Sequence, residues 1–473
     1  MYRHILYSAS AGKASVCLVG TGAFGRSLLA HRVPRMDIRI AVDMDAARAA
    51  AALRAARIAD TRIAICPDAQ TAAQAFAAGH FIAAGDLAHV IDLPFDLLVE
   101  ATGDPEAGAR HADMAVSSGR HVALVSKEVD SVVGPGLAHL AAERRAVVTP
   151  VDGDQPSLLI DLVTWAELLG FEIVAAGKAS EYDFVFDPET TTLTSGGVAV
   201  RVPEFAALLD IGDARAADVI ADRARAAAAL PQRAVPDLCE MGVVSHSVDL
   251  VPDRPDFHCP LARIVEVPTI FSTRNEGGIL TGDRRLDVFH CLRLPGEVSF
   301  AGGVFVVVRC RDGESWKMLA EKGHILSRTG DTAMIYLPRH LLGLEAATSI
   351  LDAVLLKRSS GAPDPKPRLD LIAIAEKDLP AGALLSATGH HHAIQNVGSA
   401  LVPAAPLATD RPAPFYLAAN RRLEKPVRCG DPVMLGDLEL DPASHLLRLR
   451  RQQDAIFFGR EATLGAVIAT VAQ

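Results

Sequence analysis

The chain has 473 residues, and its 47 Lys and Arg against 57 Asp and Glu give a net charge of −10 with histidine neutral. Half of the residues are apolar and 22% are charged, which excludes a disordered chain, a collagen and a small disulfide-stapled protein. At about 100–200 residues per domain the length predicts two to four domains. The mild acidity argues against a nucleic-acid partner, which requires a clustered basic surface.

Neither the cysteines nor the apolar segments indicate secretion or a membrane span. The seven cysteines are dispersed without a CxxC pair, so we expect free thiols in a reducing compartment and no zinc site. The apolar run at residues 299–308 is shorter than the roughly 18 residues that a span needs. The N-terminal stretch lacks the apolar core of a signal peptide, and we expect a cytoplasmic protein.

The first third of the chain alternates predicted strands and helices. Strands are predicted at residues 15–19, 38–42, 95–99, 121–125 and 146–151. Helices are predicted at residues 23–31, 43–57 and 106–118. This alternation predicts an α/β fold with an N-terminal doubly wound parallel sheet of the Rossmann type.

A glycine-rich motif, GTGAFG at residues 20–25, lies between the first predicted strand and helix. In a GxGxxG motif the first glycine permits a tight turn, the second lets the backbone approach a pyrophosphate, and the third lets helix and strand pack closely. The phosphates then lie at a helix N-terminus, which favours anions. The motif therefore predicts a dinucleotide site.

Asp43 ends the second predicted strand, where a carboxylate accepts the ribose hydroxyls of NAD and repels a 2′-phosphate. NAD is therefore favoured over NADP. Because Arg39 and Arg48 lie nearby in the sequence, NADP stays an alternative.

Two further strand ends carry residues suited to the nicotinamide end of such a cofactor. Residues 100–105 (EATGDP) are mostly small, and Ser126-Lys127-Glu128 follows the next strand. Lys127 is positioned to polarise or protonate a substrate carbonyl. The expected cofactor-binding residues are Gly20, Thr21, Gly22, Ala23, Phe24, Gly25, Asp43, Ala101, Thr102, Gly103 and Lys127.

These segments resemble a known family. VCLVGTGAFGRSLL, LLVEATGDPEAG and HVALVSKEVD are similar to the NAD(P)-binding half of homoserine dehydrogenases. VDGDQP, FEIVAAGK and the C-terminal region resemble the branch with a C-terminal SAF domain, which includes deoxyxylulose-phosphate reductoisomerase-like enzymes. The resemblance implies hydride chemistry with Lys127 beside the nicotinamide. The Gly-Thr-Thr-Asn run of homoserine dehydrogenases is replaced by AGKA at residues 176–179, so the substrate does not carry over.

The middle of the chain supplies a candidate proton-transfer pair. A helix is predicted at residues 158–169 and a strand at residues 171–176 that ends at Gly177-Lys178, followed by a loop at residues 188–203. Lys178 with Asp237 or Glu240 provides the lysine and carboxylate that the reaction needs, the carboxylate ordering the substrate hydroxyl and the lysine moving its proton.

Other residues are candidates for binding a substrate anion or a metal ion. Charge-assisted hydrogen bonds favour Lys322 or Arg339 as ligands of a substrate anion, and the resemblance points to Arg339 and His340. The remaining substrate candidates are Asp152 and Asp154. A reductoisomerase would need a divalent metal, for which Asp152, Asp154 and Glu240 are the candidate carboxylates; no other metal site is expected.

The end of the chain is predicted to form a separate β-rich domain. A Pro/Ser-rich linker lies at residues 359–367, and the segment after it resembles an SAF domain, with a final strand at residues 439–449. The three adjacent histidines at 390–392 cannot all face one ion and are expected in an exposed loop. We predict a dinucleotide-binding domain at 1–152, an α+β catalytic and dimerisation domain at 153–360, and an SAF-like domain at 368–473.

Taken together, the sequence predicts an NAD(P)-dependent oxidoreductase acting on a CH–OH or carbonyl group of a small polar substrate such as a hydroxy acid, sugar acid or sugar phosphate. The substrate is expected to be anionic, and the protein a homo-dimer or homo-tetramer. Two alternatives stay open: a deoxyxylulose-phosphate-type reductoisomerase and a non-catalytic protein that senses nucleotides or sugars.

Overall fold

The computed structural model describes residues 12–389 and 393–471, with side chains described as far as Gly459. The chain forms two compact units. The first unit comprises the described residues of Met1–Ser157 and Leu341–Gln473, and the second unit is Leu158–His340. The predicted domain boundaries stay predictions, and the three histidines at 390–392 lie outside the described residues.

A seven-stranded sheet forms the centre of the first unit. Its strands are β1 (Ala14–Val19), β2 (Met36–Val42), β3 (Ile63–Cys66), β4 (Phe81–Ala84), β5 (Leu97–Glu100), β6 (His121–Leu124) and β7 (Val148–Pro150). All pairs are parallel, in the order β3-β4-β2-β1-β5-β6-β7. The connections change direction at β1, so the crevice beyond the carboxyl ends of β1 and β5 is where such sheets bind ligands. The predicted doubly wound sheet is confirmed.

Helices follow most of these strands. They are α1 (Ala23–Ala30), α2 (Ala46–Ala55), α3 (Ala69–Ala77), α4 (Pro105–Ser117) and α5 (Lys127–Glu143). The side chains of Asp45, Asp68 and Asp104 accept backbone N–H groups at the starts of α2, α3 and α4, which satisfies donors that have no partner within the helix. These caps fix where the three helices begin; α2 and α4 were predicted from the sequence, whereas α3 was not.

The second unit is built on a mixed sheet. Its strands are β8 (Ile173–Ala179), β9 (Phe184–Asp187), β10 (Thr192–Ser195), β11 (Val198–Arg201), β12 (Val251–Pro252), β13 (Leu261–Ala262), β14 (Arg285–Arg293), β15 (Val304–Arg309), β16 (Ile325–Leu326) and β17 (Thr332–Leu337). Its helices are α6 (Gln155–Leu168), α7 (Ala216–Ala226), α8 (Val235–Ser247), α9 (Val267–Ile270) and α10 (Gly313–Glu321), and α6 begins in the first unit. The central strand β8 is parallel to β14 and antiparallel to β15.

The segment at 188–203, predicted as a loop, instead contains the antiparallel pair β10–β11. The strands turn at Gly196 and Gly197, both at positive φ, and each strand has only four residues. Strands this short show too little alternation to be recognised in a Thr- and Gly-rich stretch.

The C-terminal part of the first unit is small and β-rich. It contains α11 (Ala347–Leu351), β18 (Leu369–Ala375), β19 (Ala387–Thr388), β20 (Ala393–Ile394), β21 (Val397–Pro403), α12 (Phe415–Ala418) and α13 (His445–Val471). The predicted final strand at 439–449 is wrong, because α13 begins within it. Ser444 precedes this helix, and its hydroxyl oxygen accepts the N–H of Leu447, which is a helix-starting contact. No helix of the described residues is long and apolar enough to cross a bilayer.

Arg450 on α13 forms buried ion pairs with Asp370 on β18 and with Asp454. Its guanidinium is fully buried and donates to both oxygens of Asp370, at 2.7 and 2.8 Å, and to Asp454 at 2.8 Å. We expect Arg450→Met to lower the free energy of unfolding by about 3–5 kcal/mol, because it leaves two carboxylates without their counter-charge. Chemical denaturation checks this, with the exposed neighbour variant Arg451→Met as control. Equal stability of the two variants would contradict the assignment.

Candidate functional site

The glycine motif of the first unit forms a tight cradle at the carboxyl end of β1. Gly20 has φ +94°, and a Cβ there would overlap the carbonyl of Ala101. A Cβ at Gly25 would overlap the carbonyl oxygen of Gly20, so these two positions require glycine. Gly22 precedes α1, and among the described residues no atom lies within 4 Å of where its Cβ would be. Open backbone at a helix N-terminus fits the pyrophosphate of a dinucleotide.

Asp43 lies beside this cradle at the end of β2. Its Oδ2 accepts the N–H of Thr21 at 3.0 Å and the hydroxyl of Thr21 at 2.5 Å. Its Oδ1 lies 3.7 Å from Nε of Arg48, whose side chain is half-exposed. The carboxylate is held in place and keeps capacity for a ribose hydroxyl, whereas Arg48 is within reach of a 2′-phosphate. This arrangement fits either NAD or NADP.

The loops after β5 and β6 are joined to each other. The N–H of Gly103 donates to the hydroxyl oxygen of Ser126 at 2.8 Å, and the hydroxyl of Thr102 donates to Glu100 at 2.6 Å. Lys127 is the first residue of α5, and its Nζ lies 3.9 Å from Oδ2 of Asp154. Ala101, Thr102, Gly103 and Lys127 therefore lie just beyond the carboxyl ends of β5 and β6. Their role as cofactor ligands stays a prediction.

Buried acids line the start of α5 behind these loops. Burial raises the pKa of Glu128 to about 8, opposed by Lys127 and reinforced by Asp154 and Glu100. Burial also raises the pKa of Asp130 to about 7. Oε2 of the fully buried Glu100 has no hydrogen-bond partner among the described residues. Sequence reasoning missed this group, because acids in the first turn of a helix are ordinarily exposed partners of its dipole.

The raised pKa of Glu128 predicts a pH-dependent stability. The folded state holds a proton up to a pH of about 8, whereas the unfolded carboxyl loses it near 4.5. The unfolded state therefore binds fewer protons between these values, and the free energy of unfolding falls as pH rises, by roughly 4 kcal/mol from this group. Glu128→Gln is expected to flatten this fall.

Denaturation of both proteins at pH 5, 7 and 9 measures the effect. Glu314→Gln, which removes an exposed acid from the first turn of α10, is the matched control. A slope with pH that is the same in Glu128→Gln and the wild type would contradict the prediction.

The predicted lysine and carboxylates of the second unit meet in one buried cluster. Lys178 lies on β8 with 1% of its surface exposed, and its Nζ is 2.9 Å from Oδ1 of Asp237 and paired with Oε2 of Glu240. Asp237 and Glu240 are three residues apart on α8, on the same face of the helix. Oδ2 of Asp237 accepts the hydroxyl of Ser180 at 2.7 Å. We name this group the Lys178 cluster.

His290 on β14 lies near this cluster and was not predicted from the sequence. Burial lowers the pKa of His290, while Asp237 acts in the opposite direction, and its Nε2 lies 2.9 Å from the carbonyl oxygen of Gln232. A neutral imidazole therefore adds no further positive charge beside Lys178.

The predicted substrate residues do not form one group. Asp152 accepts the hydroxyls of Ser157 and Thr348, and Asp154 lies beside Lys127, all in the first unit. In the second unit, Lys322 and Arg339 are exposed and His340 is half-buried.

The proposed carboxylate set does not fit a divalent metal. Both oxygens of Asp152 already accept hydroxyls, and Glu240 is paired with the ammonium of Lys178, a charge that repels a cation. Within residues 12–389 and 393–459, no three His, Cys, Asp or Glu side chains are grouped to hold a metal ion.

Part of the chain is similar to a known protein family. Residues 235–346, which include Asp237 and Glu240, are similar to the catalytic domain of the oxidoreductase DRL family. No curated protein sequence matches the chain. The predicted enzyme class, an oxidoreductase, is confirmed, whereas the homoserine dehydrogenase and SAF assignments stay predictions.

Three solved structures to which the chain has some similarity are reported with their identity, coverage and TM-score. GenD2 from gentamicin A biosynthesis, in complex with NAD, is 16% identical over 75% of this chain and 90% of its own, with a TM-score of 0.34. DOX-P reductoisomerase in complex with magnesium is 18% identical; the match covers 36% of this chain and 46% of the reductoisomerase, with a TM-score of 0.27. The WlbA dehydrogenase from Bordetella pertussis, in complex with NADH and UDP-GlcNAcA, is 18% identical; the match covers 36% of this chain and 48% of the dehydrogenase, with a TM-score of 0.25. The chain thus spans less than half of the latter two proteins.

Proposed function

We propose that the protein is an NAD(P)-dependent oxidoreductase that acts on a CH–OH or carbonyl group of a small polar substrate. The observation that carries this proposal is the Lys178 cluster, two of whose members lie in the segment similar to an oxidoreductase catalytic domain. The cradle of Gly20, Gly22 and Gly25 in the first unit supports a dinucleotide as the redox partner.

Each unit contributes a separate task. A bound nicotinamide supplies or accepts the hydride. Nζ of Lys178 donates a proton to the substrate oxygen as a carbonyl is reduced, and takes it back in the reverse direction. Asp237 and Glu240 orient this ammonium, and the hydroxyl of Ser180 fixes Asp237. Because the cluster is buried, its charges act with little screening by water.

Substrate turnover tests the proposal. The full chain is incubated with NADH or NADPH and a panel of keto acids, sugar aldehydes and ketose phosphates, and loss of the reduced-nicotinamide absorbance is followed. We expect turnover of at least one compound, lowered about a hundredfold or more in Lys178→Met. Cofactor binding without any turnover, unchanged in Lys127→Ala, would contradict an enzyme and favour a sensing protein. A metal-dependent reaction restricted to deoxyxylulose phosphate would identify the reductoisomerase.

Asp43 is expected to set the preference for NAD. Asp43→Asn removes the charge that accepts a ribose hydroxyl, and we expect NAD affinity to fall about tenfold while NADP affinity falls less. Calorimetric titration with both cofactors measures the ratio. The matched control is Asp37→Asn, at the opposite end of the same strand and exposed. An unchanged ratio of the two affinities would contradict this role.

A further inference from the structure

Glu100, the last residue of β5, carries a fully buried carboxylate at the carboxyl edge of the first unit's sheet. The loop that follows it, residues 101–103, lies directly against the glycine cradle. A Cβ at Gly20 would lie 2.4 Å from the carbonyl oxygen of Ala101 and 2.8 Å from the backbone nitrogen of Thr102. At so close an approach a small shift of the loop changes the shape of the cradle, so the contacts that hold the loop matter for the site.

The carboxylate of Glu100 holds this loop through Thr102. Its Oε1 accepts the hydroxyl of Thr102 at 2.6 Å and the backbone N–H of the same residue at 3.3 Å. Because a carboxylate only accepts, the single hydroxyl proton is committed to Glu100, and the hydroxyl oxygen accepts the N–H of Asp104 at 3.3 Å. Asp104 in turn caps α4. One chain of hydrogen bonds therefore joins the strand end, the loop and the next helix.

The backbone N–H groups of the loop are all bonded within the protein. The N–H of Ala101 donates within the sheet, that of Thr102 to Glu100, and that of Gly103 to the hydroxyl of Ser126. None of the three is left for a phosphate, which needs donors. The loop thus suits the uncharged ribose and nicotinamide of a dinucleotide, whereas the pyrophosphate fits the N-terminus of α1.

The chain keeps this carboxylate in spite of two unfavourable features. Oε2 of Glu100 has no hydrogen-bond partner among the described residues, and an unpaired buried acceptor is destabilising. The adjoining position on α4 is Gly108, where a Cβ would lie 3.0 Å from this oxygen and 2.6 Å from Cγ2 of Val129, and glycine within a helix is itself unfavourable. An apolar side chain at position 100 would avoid the unpaired oxygen, which points to a role of the carboxylate beyond folding.

We propose that Glu100 is a positioning residue of the dinucleotide site. It acts through Thr102 and holds residues 101–103 in the conformation that receives the nicotinamide half of the cofactor. The inference rests on the proposed function, because it assigns a role in binding the redox cofactor. Glu100 is buried behind the loop, so the effect of replacing it passes through the Thr102 hydroxyl.

Titration calorimetry of the full chain with NADH and with NADPH tests this role. Glu100→Gln keeps the size of the side chain but removes the charge that strengthens its hydrogen bonds, and we expect cofactor affinity to fall about tenfold. Thr102→Val, a change at a half-buried residue, removes the hydroxyl and should lower affinity to a similar extent. Thr102→Ser keeps the hydroxyl and should bind within about threefold of the wild type. Asp130→Asn, which alters another buried acid of the same unit, should bind as the wild type does.

The double variant separates positioning through Thr102 from a general structural effect. Adding Glu100→Gln to Thr102→Val should lower affinity by less than about threefold more, because the contact is already lost. Fully multiplicative losses, or affinities in both single variants that equal the wild type's, would overturn the proposal. Should Glu100→Gln not unfold cooperatively, equal affinities of Thr102→Val and Thr102→Ser would overturn it.

The same titrations distinguish this inference from the proposed function. A wild-type protein that binds neither cofactor would remove the proposed function and this inference with it. Wild-type binding that Glu100→Gln and Thr102→Val leave unchanged would remove the inference alone.

Discussion

Replacing Lys178 is expected to lower kcat by about 10²–10⁴-fold, the usual contribution of a positioned general acid or base. Lys178→Met removes the proton that the substrate oxygen receives. It also leaves Asp237 and Glu240 buried without a counter-charge, which costs about 3–5 kcal/mol of stability. Activity loss from this variant alone would therefore mix chemistry with folding.

Lys178→Arg separates the two effects. Arginine keeps a positive charge between the carboxylates but does not release its proton at any working pH. We expect Lys178→Arg to retain cooperative unfolding and dinucleotide affinity while its kcat falls as far as that of Lys178→Met. Lys322→Met, at an exposed lysine of the same unit, is the matched control. A kcat within threefold of the wild type in Lys178→Arg would contradict proton transfer by this residue.

Gly20→Val is expected to weaken binding of NADH and NADPH at least a hundredfold. The Cβ would overlap the Ala101 carbonyl at a φ of +94°, a backbone conformation that valine strongly disfavours. The loops after β1 and β5 must then separate, which dismantles the cradle for the pyrophosphate.

A control variant separates the effect of backbone strain from the effect of steric overlap with Ala101. Gly79 also has a positive φ, of +88°, but among the described residues no atom lies within 4 Å of the position that a Cβ would take there. Gly79→Val thus carries the backbone strain without the collision and lies outside the cradle, and it should bind both cofactors normally. Normal NADH binding by Gly20→Val in titration calorimetry would contradict the cradle assignment.

Much of the first unit's fold follows from local sequence patterns. Short apolar runs with alanine-rich helical segments between them predict β1, β2, β5 and β6. The four-residue strands β3 and β4 and the helix α3 were not predicted. Residues 63–84 are rich in alanine and show too little alternation of apolar and polar residues to distinguish a strand from a helix. The start of α13 was likewise missed, since its residues read equally well as a strand until Ser444 is recognised as a cap.

The residues of the candidate site were likewise predicted only in part. Lys178 and Glu240 are 62 residues apart, and their pairing was predicted because the reaction requires a lysine with a carboxylate. Ser180 and His290 join the Lys178 cluster because of the register of β8 and β14, which no local sequence pattern reveals. The raised pKa of Glu128 depends on how deeply α5 is buried, which is a property of tertiary packing.

Dinucleotide binding by the intact chain tests the central claim most directly. Titration calorimetry of the wild type with NADH and with NADPH should show one saturable site per chain for at least one of them, with a Kd below about 1 mM, the upper end of ordinary enzyme affinities. The same site should be lost in Gly20→Val and kept in Lys178→Arg. Absence of saturable binding of either cofactor, in a preparation that unfolds cooperatively, would contradict an NAD(P)-dependent oxidoreductase.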